Sequence, residues 1–293
     1  MSSSTRTTTT NVPTQPLPPA IKGGRALIVA ISYSKTNCPL PGTQEDKTLI
    51  LETVRAKGFE HIVVISDRDN LPTSPYFPTY KNILRGLKWL LSSGTVADFE
   101  NVALDKFPEI KPKEVAFFYY SGHGSQVADD DGDEIDGKDE VICPIKENGD
   151  WADEDIRDDT LHQVVNDNCR PDSYVICLMD CCHSGSGMDL GYRMVNGQVS
   201  LYEKKIKTTK CPVILIAGAR DHQSAHEGMV TTGKKHGYLT WAWCQAVNER
   251  PKQSMYSLEC KINAKVAKLI SSSKQLPTFS FGQYMSKATT YPI

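Results

Sequence analysis

Nowhere does the chain run apolar for the roughly 20 residues that a membrane-spanning helix needs, so no such segment is expected. The first residues also lack the apolar core of a secretory signal. They read Ser-Ser-Ser-Thr, then a threonine run, then a proline-rich stretch to Pro19. An excess of either charge is missing as well: the formal net charge is -2 over 293 residues. Proteins that grip nucleic acid usually carry a clear basic surplus, so nucleic acid is not an expected partner. Cysteine is not scarce, but its count of nine is odd and the residues are spread over a chain that is not short. Disulfide frameworks belong to small secreted domains with even counts, so free thiols in a reducing compartment are expected. A cytoplasmic location, with the nucleus as a second compartment, is the default expectation. No internal repeat is apparent.

What is present is ordinary globular composition, 39% hydrophobic and 23% charged, on a chain long enough to bury a substantial core. Residues 1–20 are low-complexity and are expected to be disordered. Short apolar runs begin at Ala26–Ile31 and recur at His61–Ser66, Val115–Tyr120, Tyr174–Met179 and Val213–Gly218, with a closing strand at Pro277–Phe281. Between them lie segments with helical spacing: Thr43–Lys57, Tyr80–Leu91, Thr160–Asn168, Tyr238–Val247 and Leu258–Ile270. Strands alternating with helices predict an α/β fold with a mostly parallel sheet. The polar, lysine-bearing stretch 193–211 reads as an exposed basic linker. It divides a large unit, 21–192, from a smaller one, 212–293, that shares the same sheet.

In open α/β sheets the chemistry gathers at the carboxyl ends of the strands. Two strand ends carry suitable groups. Val115–Tyr120 runs into Ser121-Gly122-His123-Gly124, and Tyr174–Met179 into Asp180-Cys181-Cys182-His183-Ser184-Gly185. A thiol nucleophile needs a base within reach and backbone N–H donors for an oxyanion. Parallel neighbouring strands would bring Cys182 and His123 together. The bland alternative is a turn histidine beside a structural thiol. His183 adjoins the cysteine, so its side chain is expected to point elsewhere, and Cys181 is expected to pack. A zinc site of Cys181, Cys182 and His183 lacks the second spaced pair that structural zinc requires. His222, His226 and His236 read as surface or loop histidines.

The segments Tyr120-Ser121-Gly122-His123-Gly124-Ser125-Gln126 and Asp180-Cys181-Cys182-His183-Ser184-Gly185 resemble the two catalytic motifs of metacaspases. Asp131 to Glu140 and Arg25 to Asp46 are also similar to that family, and the likeness is strong from Arg25 to Tyr192 and weaker beyond. The resemblance implies a caspase-like α/β/α sandwich of the type I arrangement. It implies a cysteine endopeptidase with Cys182 as nucleophile, His123 as its acid-base partner, and the N–H groups of Gly124 and Cys182 as the oxyanion hole. It further implies a primary pocket lined by Asp46, Asp180 and Ser121, which suits Arg or Lys in protein and peptide substrates. The family often has Cys then Asn-Asp where this chain has Thr43-Gln44-Glu45-Asp46, a departure that keeps the acid. A monomer is implied as well.

From Asp129 to Asp159 the chain holds fifteen acidic and three basic residues. Carboxylates packed this closely repel unless solvated or bridged by a cation, and an oxygen-only donor set favours calcium. The composition alone suits a solvated acidic loop. An EF-hand does not fit: with Gly132 sixth, the loop would run from Val127 to Lys138; with Gly137 sixth, from Gly132 to Cys143. The family's calcium site maps by resemblance onto Asp139, Asp158, Asp159 and Asp189. Lys204, Lys205, Lys207 and Lys210 in the linker are candidate self-cleavage positions, or simply a solvated basic loop. The rivals to an active peptidase are a non-catalytic caspase-like binding module, for example in stress or aggregate handling, a metal-dependent hydrolase using the acidic loop, and an Asp-specific caspase.

Overall fold

The computed structural model describes residues 21, 24–91, 115–129, 132, 137–185, 187–202, 207–220, 225–250, 252–270 and 274–293. The expected disorder of residues 1–20, the lysines Lys204 and Lys205, His222 and the middle of the acidic run lie outside them.

The chain opens with strand β1 (Arg25–Ala30), helix α1 (Thr43–Ala56), strand β2 (His61–Ser66), helix α2 (Tyr80–Leu91) and strand β3 (Val115–Ser121). β1 and β3 are buried at every position, the condition that unbroken apolar runs meet in a parallel sheet covered on both faces. β1 pairs in parallel with β2 on one side and β3 on the other. The chain therefore crosses β1 between β2 and β3, and a switch point opens at the carboxyl ends of β1 and β3. A small antiparallel sheet follows, of β4 (Gly124–Ala128), β5 (Lys138–Ile142) and β6 (Ile156–Arg157). Helix α3 (Asp158–Asn168) then leads to β7 (Tyr174–Asp180), parallel to β3 with Ser121 opposite Asp180.

The carboxyl-terminal part comprises β8 (Tyr192–Val195), β9 (Gln198–Leu201), β10 (Val213–Ala217), β11 (Glu227–Met229), β12 (Lys235–Gly237), α4 (Tyr238–Glu249), α5 (Met255–Val266) and β13 (Thr278–Phe281). The main sheet among the described residues has eight strands in the order β2-β1-β3-β7-β10-β13-β8-β9. β10 continues the parallel set, while β13, β8 and β9 add antiparallel pairings. Successive β1 side chains face opposite layers, as strand periodicity requires. Leu27 and Val29 pack in one core with Ile83 and Leu87 of α2 and Leu161 and Val165 of α3. Ala26 and Ile28 pack in the other with Ile50 and Val54 of α1, Trp243 of α4 and Leu258 of α5. The result is the expected α/β/α sandwich with one mostly parallel sheet running through both units.

One expectation needs correction. The first part of the 193–211 stretch is not simply an exposed basic linker: β8 and β9 form a hairpin paired to β13, and Arg193 and Met194 are buried. Asn196-Gly197 closes it with both residues at positive φ, 51° and 74°, the conformation a tight hairpin turn demands. All nine cysteines are free thiols, as expected. No described helix is long and apolar enough to cross a membrane.

Candidate active site

The register of β3 against β7 sets the geometry. Because Ser121 stands opposite Asp180, the residues two positions further on, His123 and Cys182, leave the sheet side by side. Both line one small cleft with Leu40, Asp46, Ser121, Asp180 and Glu227. Cys182 is half-buried and its Sγ donates to the Ala225 carbonyl at 3.7 Å. The next residue, His183, sits at φ 51° and lines a different cavity, beside Glu140 and Leu161, so it is directed away from the cleft as expected. Cys181 is buried in the core, where burial holds its thiol well above the ordinary range. Gly124 packs against the Cys182 backbone: a Cβ there would lie 2.3 Å from the Cys182 carbonyl oxygen.

A cage that the sequence did not reveal holds His123. Its N–H donates to the Tyr33 hydroxyl at 2.9 Å, and its carbonyl accepts from the Tyr120 hydroxyl at 2.7 Å. Tyr33 in turn donates to the Cys143 carbonyl at 2.6 Å. Burial pushes both phenols well above their ordinary range, so they act as fixed neutral hydrogen-bonding groups. The imidazole lies against Tyr33 and Trp151, with ring centroids 4.5 and 5.3 Å away. Its Nε2 is 2.7 Å from the Cys38 carbonyl oxygen. A carbonyl can only accept, so Nε2 carries a hydrogen and Nδ1 is the ring nitrogen that takes no part in this bond.

Beneath Cys182 and His123 lie two buried acids. Asp46, in the first turn of α1, accepts from His236 Nδ1 at 2.9 Å, from the Gly237 N–H at 3.0 and 3.1 Å, and from the Ser121 hydroxyl at 3.4 Å. Asp180 Oδ2 accepts from the Thr240 N–H at 2.8 Å and its hydroxyl at 2.7 Å. Burial pushes Asp46 up to about 6, and burial with the Asp46 charge pushes Asp180 up to about 7. Asp46, Asp180 and Ser121 are thus brought together as anticipated. His236 departs from expectation: it is 4% exposed and a partner of Asp46, not a surface histidine. Gly237 explains its burial. A Cβ on Gly237 would stand 2.2 Å from Asp180 Oδ2 and 3.0 Å from Asp46 Oδ2, so the β12 backbone lies directly on the carboxylates and draws His236 in with it.

The acidic cluster lies further along. Carboxylate oxygens of Asp139, Asp158 and Asp159 fall within 4.8 Å of one another. Asp189 is not one of these three but joins them through Lys207, whose ammonium pairs with Asp189 and, at 2.6 Å, with Asp159. Arg157 pairs with Asp139. Burial and the neighbouring Glu140 push Asp158 up to about 9. Hard oxygen donors and a buried acid that resists ionisation fit a divalent cation, and Arg157 and Lys207 occupy the same oxygens, so a cation would have to displace them.

A thiol and an imidazole on adjacent strand ends of an α/β/α sandwich, above buried acids, define a caspase-like protein. The family model for the caspase domain, Peptidase_C14, matches residues 23–287. The chain belongs to that family and is metacaspase-like within it. Over 303 residues it is 28% identical to Metacaspase-1A of Neosartorya fischeri, covering 86% of this chain and 64% of the relative. Over 285 residues it is 28% identical to Metacaspase-1A of Aspergillus oryzae, covering 80% and 62%. The chain therefore spans slightly under two thirds of these relatives. A crystal structure of a Geobacter sulfurreducens protein shares the fold, with a TM-score of 0.57 at 16% identity over 92% of this chain and 97% of that one.

Proposed function

We propose that the protein is a cysteine endopeptidase that cleaves after Arg or Lys and is activated by calcium. The observation that carries this reading is the convergence of Cys182, His123, Asp46, Ser121 and Asp180 in one cleft. Cys182 attacks the scissile carbonyl to form a thioester, and His123 delivers a proton to the departing amine. Water then hydrolyses the thioester, with His123 taking up its proton. The N–H groups of Gly124 and Cys182 receive the oxyanion. Two buried carboxylates that resist ionisation favour a substrate side chain bringing a positive charge and repel an acidic one.

Calcium is assigned to Asp139, Asp158, Asp159 and Asp189. When bound it supplies charge compensation where Lys207 and Arg157 now provide it. The same basic preference makes Lys204, Lys205, Lys207 and Lys210 candidate positions for self-processing. The expected setting is cytoplasmic, with a monomer acting on protein substrates.

The test is hydrolysis of fluorogenic peptides ending in Arg, Lys or Asp, with calcium or chelator, by wild type and Cys182→Ala. Calcium-dependent cleavage after Arg or Lys that vanishes in Cys182→Ala supports the reading. Activity surviving in Cys182→Ala removes the nucleophile. Absence of all cleavage favours a caspase-like binding module instead.

A further inference from the structure

Asp46 and Asp180 have little hydrogen-bonding capacity left for a substrate. Both Asp46 oxygens already accept from the Gly237 N–H, one also from His236 and the other from Ser121. Asp180 Oδ2 accepts twice from Thr240, while Oδ1 faces Gly218, where a Cβ would lie 2.9 Å away. A third carboxylate lines the same cleft, that of Glu227. It comes from β11, in register opposite Gly237, the residue that lies on the two aspartates. Its side chain is 19% exposed and held from two sides: Oε2 accepts from the Gly42 N–H at 3.2 Å, at the start of α1, and Oε1 pairs with Lys235. Its charge is close enough to both aspartates to push their acidity down further.

We propose that Glu227 is a specificity-determining residue that receives the charged end of the substrate's basic side chain and selects arginine over lysine. The proposal rests on the peptidase reading above and goes beyond it. Its reason is donor geometry. An ammonium is a compact point charge that one carboxylate can satisfy. A guanidinium spreads five N–H donors over a planar fork and can pair with both oxygens of the Glu227 carboxylate at once, which an ammonium matches less well. Lys235 is the counter-charge of Glu227 and the more exposed partner of the pair, so a substrate cation can take over its role.

The experiment compares kcat/KM for three otherwise identical peptides carrying Arg, Lys or citrulline, the neutral isostere of Arg, at the cleavage position. In Glu227→Gln the Arg-to-citrulline ratio is expected to fall roughly tenfold and the Arg-to-Lys ratio to shrink with it. In Lys235→Ala, which leaves Glu227 uncompensated, the Arg-to-citrulline ratio is expected to rise. Ratios within one preparation do not depend on the fraction folded, and opposite movements in two variants cannot come from damage to the fold. Equal changes for all three peptides, or no change in either ratio, would overturn the assignment. A wild type that cleaves the Arg peptide while both variants keep its ratios sinks only the role of Glu227. A wild type that cleaves none sinks the peptidase reading along with it.

Discussion

At the scale of single residues, His123, Cys182 and Asp180 were legible because each sits at or just beyond the end of a buried strand, whereas Asp46 lies in the first turn of α1 and was singled out through the family resemblance. His123 and Cys182 follow apolar runs that could be read directly, and the β3–β7 register then placed them together. The residues that could not be read are those whose role comes from the third dimension. His236 and Glu227 lie in a polar stretch that gives no sign of burial; β12 presses Gly237 onto Asp46 and Asp180, which brings His236 to Asp46 and Glu227 to the cleft. Gly237→Ala should therefore displace a carboxylate, since the added Cβ meets an oxygen at 2.2 Å. Its kcat/KM on an Arg peptide should fall at least about tenfold. A value close to that of the wild type would mean that the acids do not form the pocket. The pocket should also be sensitive to pH. Asp46 and Asp180 are pushed up to about 6 and about 7, so protons compete with a cationic side chain below those values. The preference for Arg over citrulline should rise as pH is raised through about 6 to 7 and then level off. Because both peptides react at the same site, any pH dependence of the bond-breaking step cancels from that ratio.

At the scale of elements, the strands and helices of the central layer were read to within a few residues, because buried parallel strands are uniformly apolar and the helices carry one apolar face. Helix α3 begins at Asp158, two positions ahead of the expected Thr160, since the Asp158 carboxylate accepts the Asp159 N–H at 2.9 Å and holds the first turn. The β8–β9 hairpin was missed because its outer strand is polar and mostly exposed, so lysine content outweighed a turn signal that was present in Asn196-Gly197. That turn is testable. Gly197 has φ 74° and lies beside the Tyr256 ring, at 2.6 Å from where a Cβ would be placed. Gly197→Ala should cost about 1–2 kcal/mol, read as a lower denaturation midpoint in urea with an unchanged slope. An unaltered midpoint would show that the hairpin does not contribute to the cooperative fold. The three-stranded sheet of β4, β5 and β6 was also unread, since its residues are short, charged and interrupted, and pairing rather than composition makes them strands.

At the scale of the whole molecule, the acidic cluster connects parts of the chain that are far apart in sequence. β5 supplies Asp139, α3 supplies Asp158 and Asp159, Asp189 follows Cys182 by seven positions, and Lys207 arrives from the segment before β10. Composition flagged the acids but not this convergence, because Asp189 stands outside the acidic run and Lys207 belongs to a separate, basic stretch. The cluster sets negative charges in the protein interior, and that burial should make it a liability without a cation. Asp158 resists ionisation for this reason, through burial first and Glu140 second. Replacing it with the neutral isostere removes the penalty together with a donor oxygen. In chelator, Asp158→Asn should therefore melt no lower than the wild type, and about 2–4 °C higher if roughly 1 kcal/mol is relieved. Added calcium should raise the melting temperature of the wild type progressively with concentration, as any ligand specific for the folded state must. The same titration should leave Asp158→Asn nearly unmoved. If calcium raised both melting temperatures equally, its binding would lie away from this cluster. If Asp158→Asn melted well below the wild type in chelator, the ionised carboxylate would be a structural partner of Arg157 and Lys207, with the cluster complete as a network of ion pairs in the protein alone.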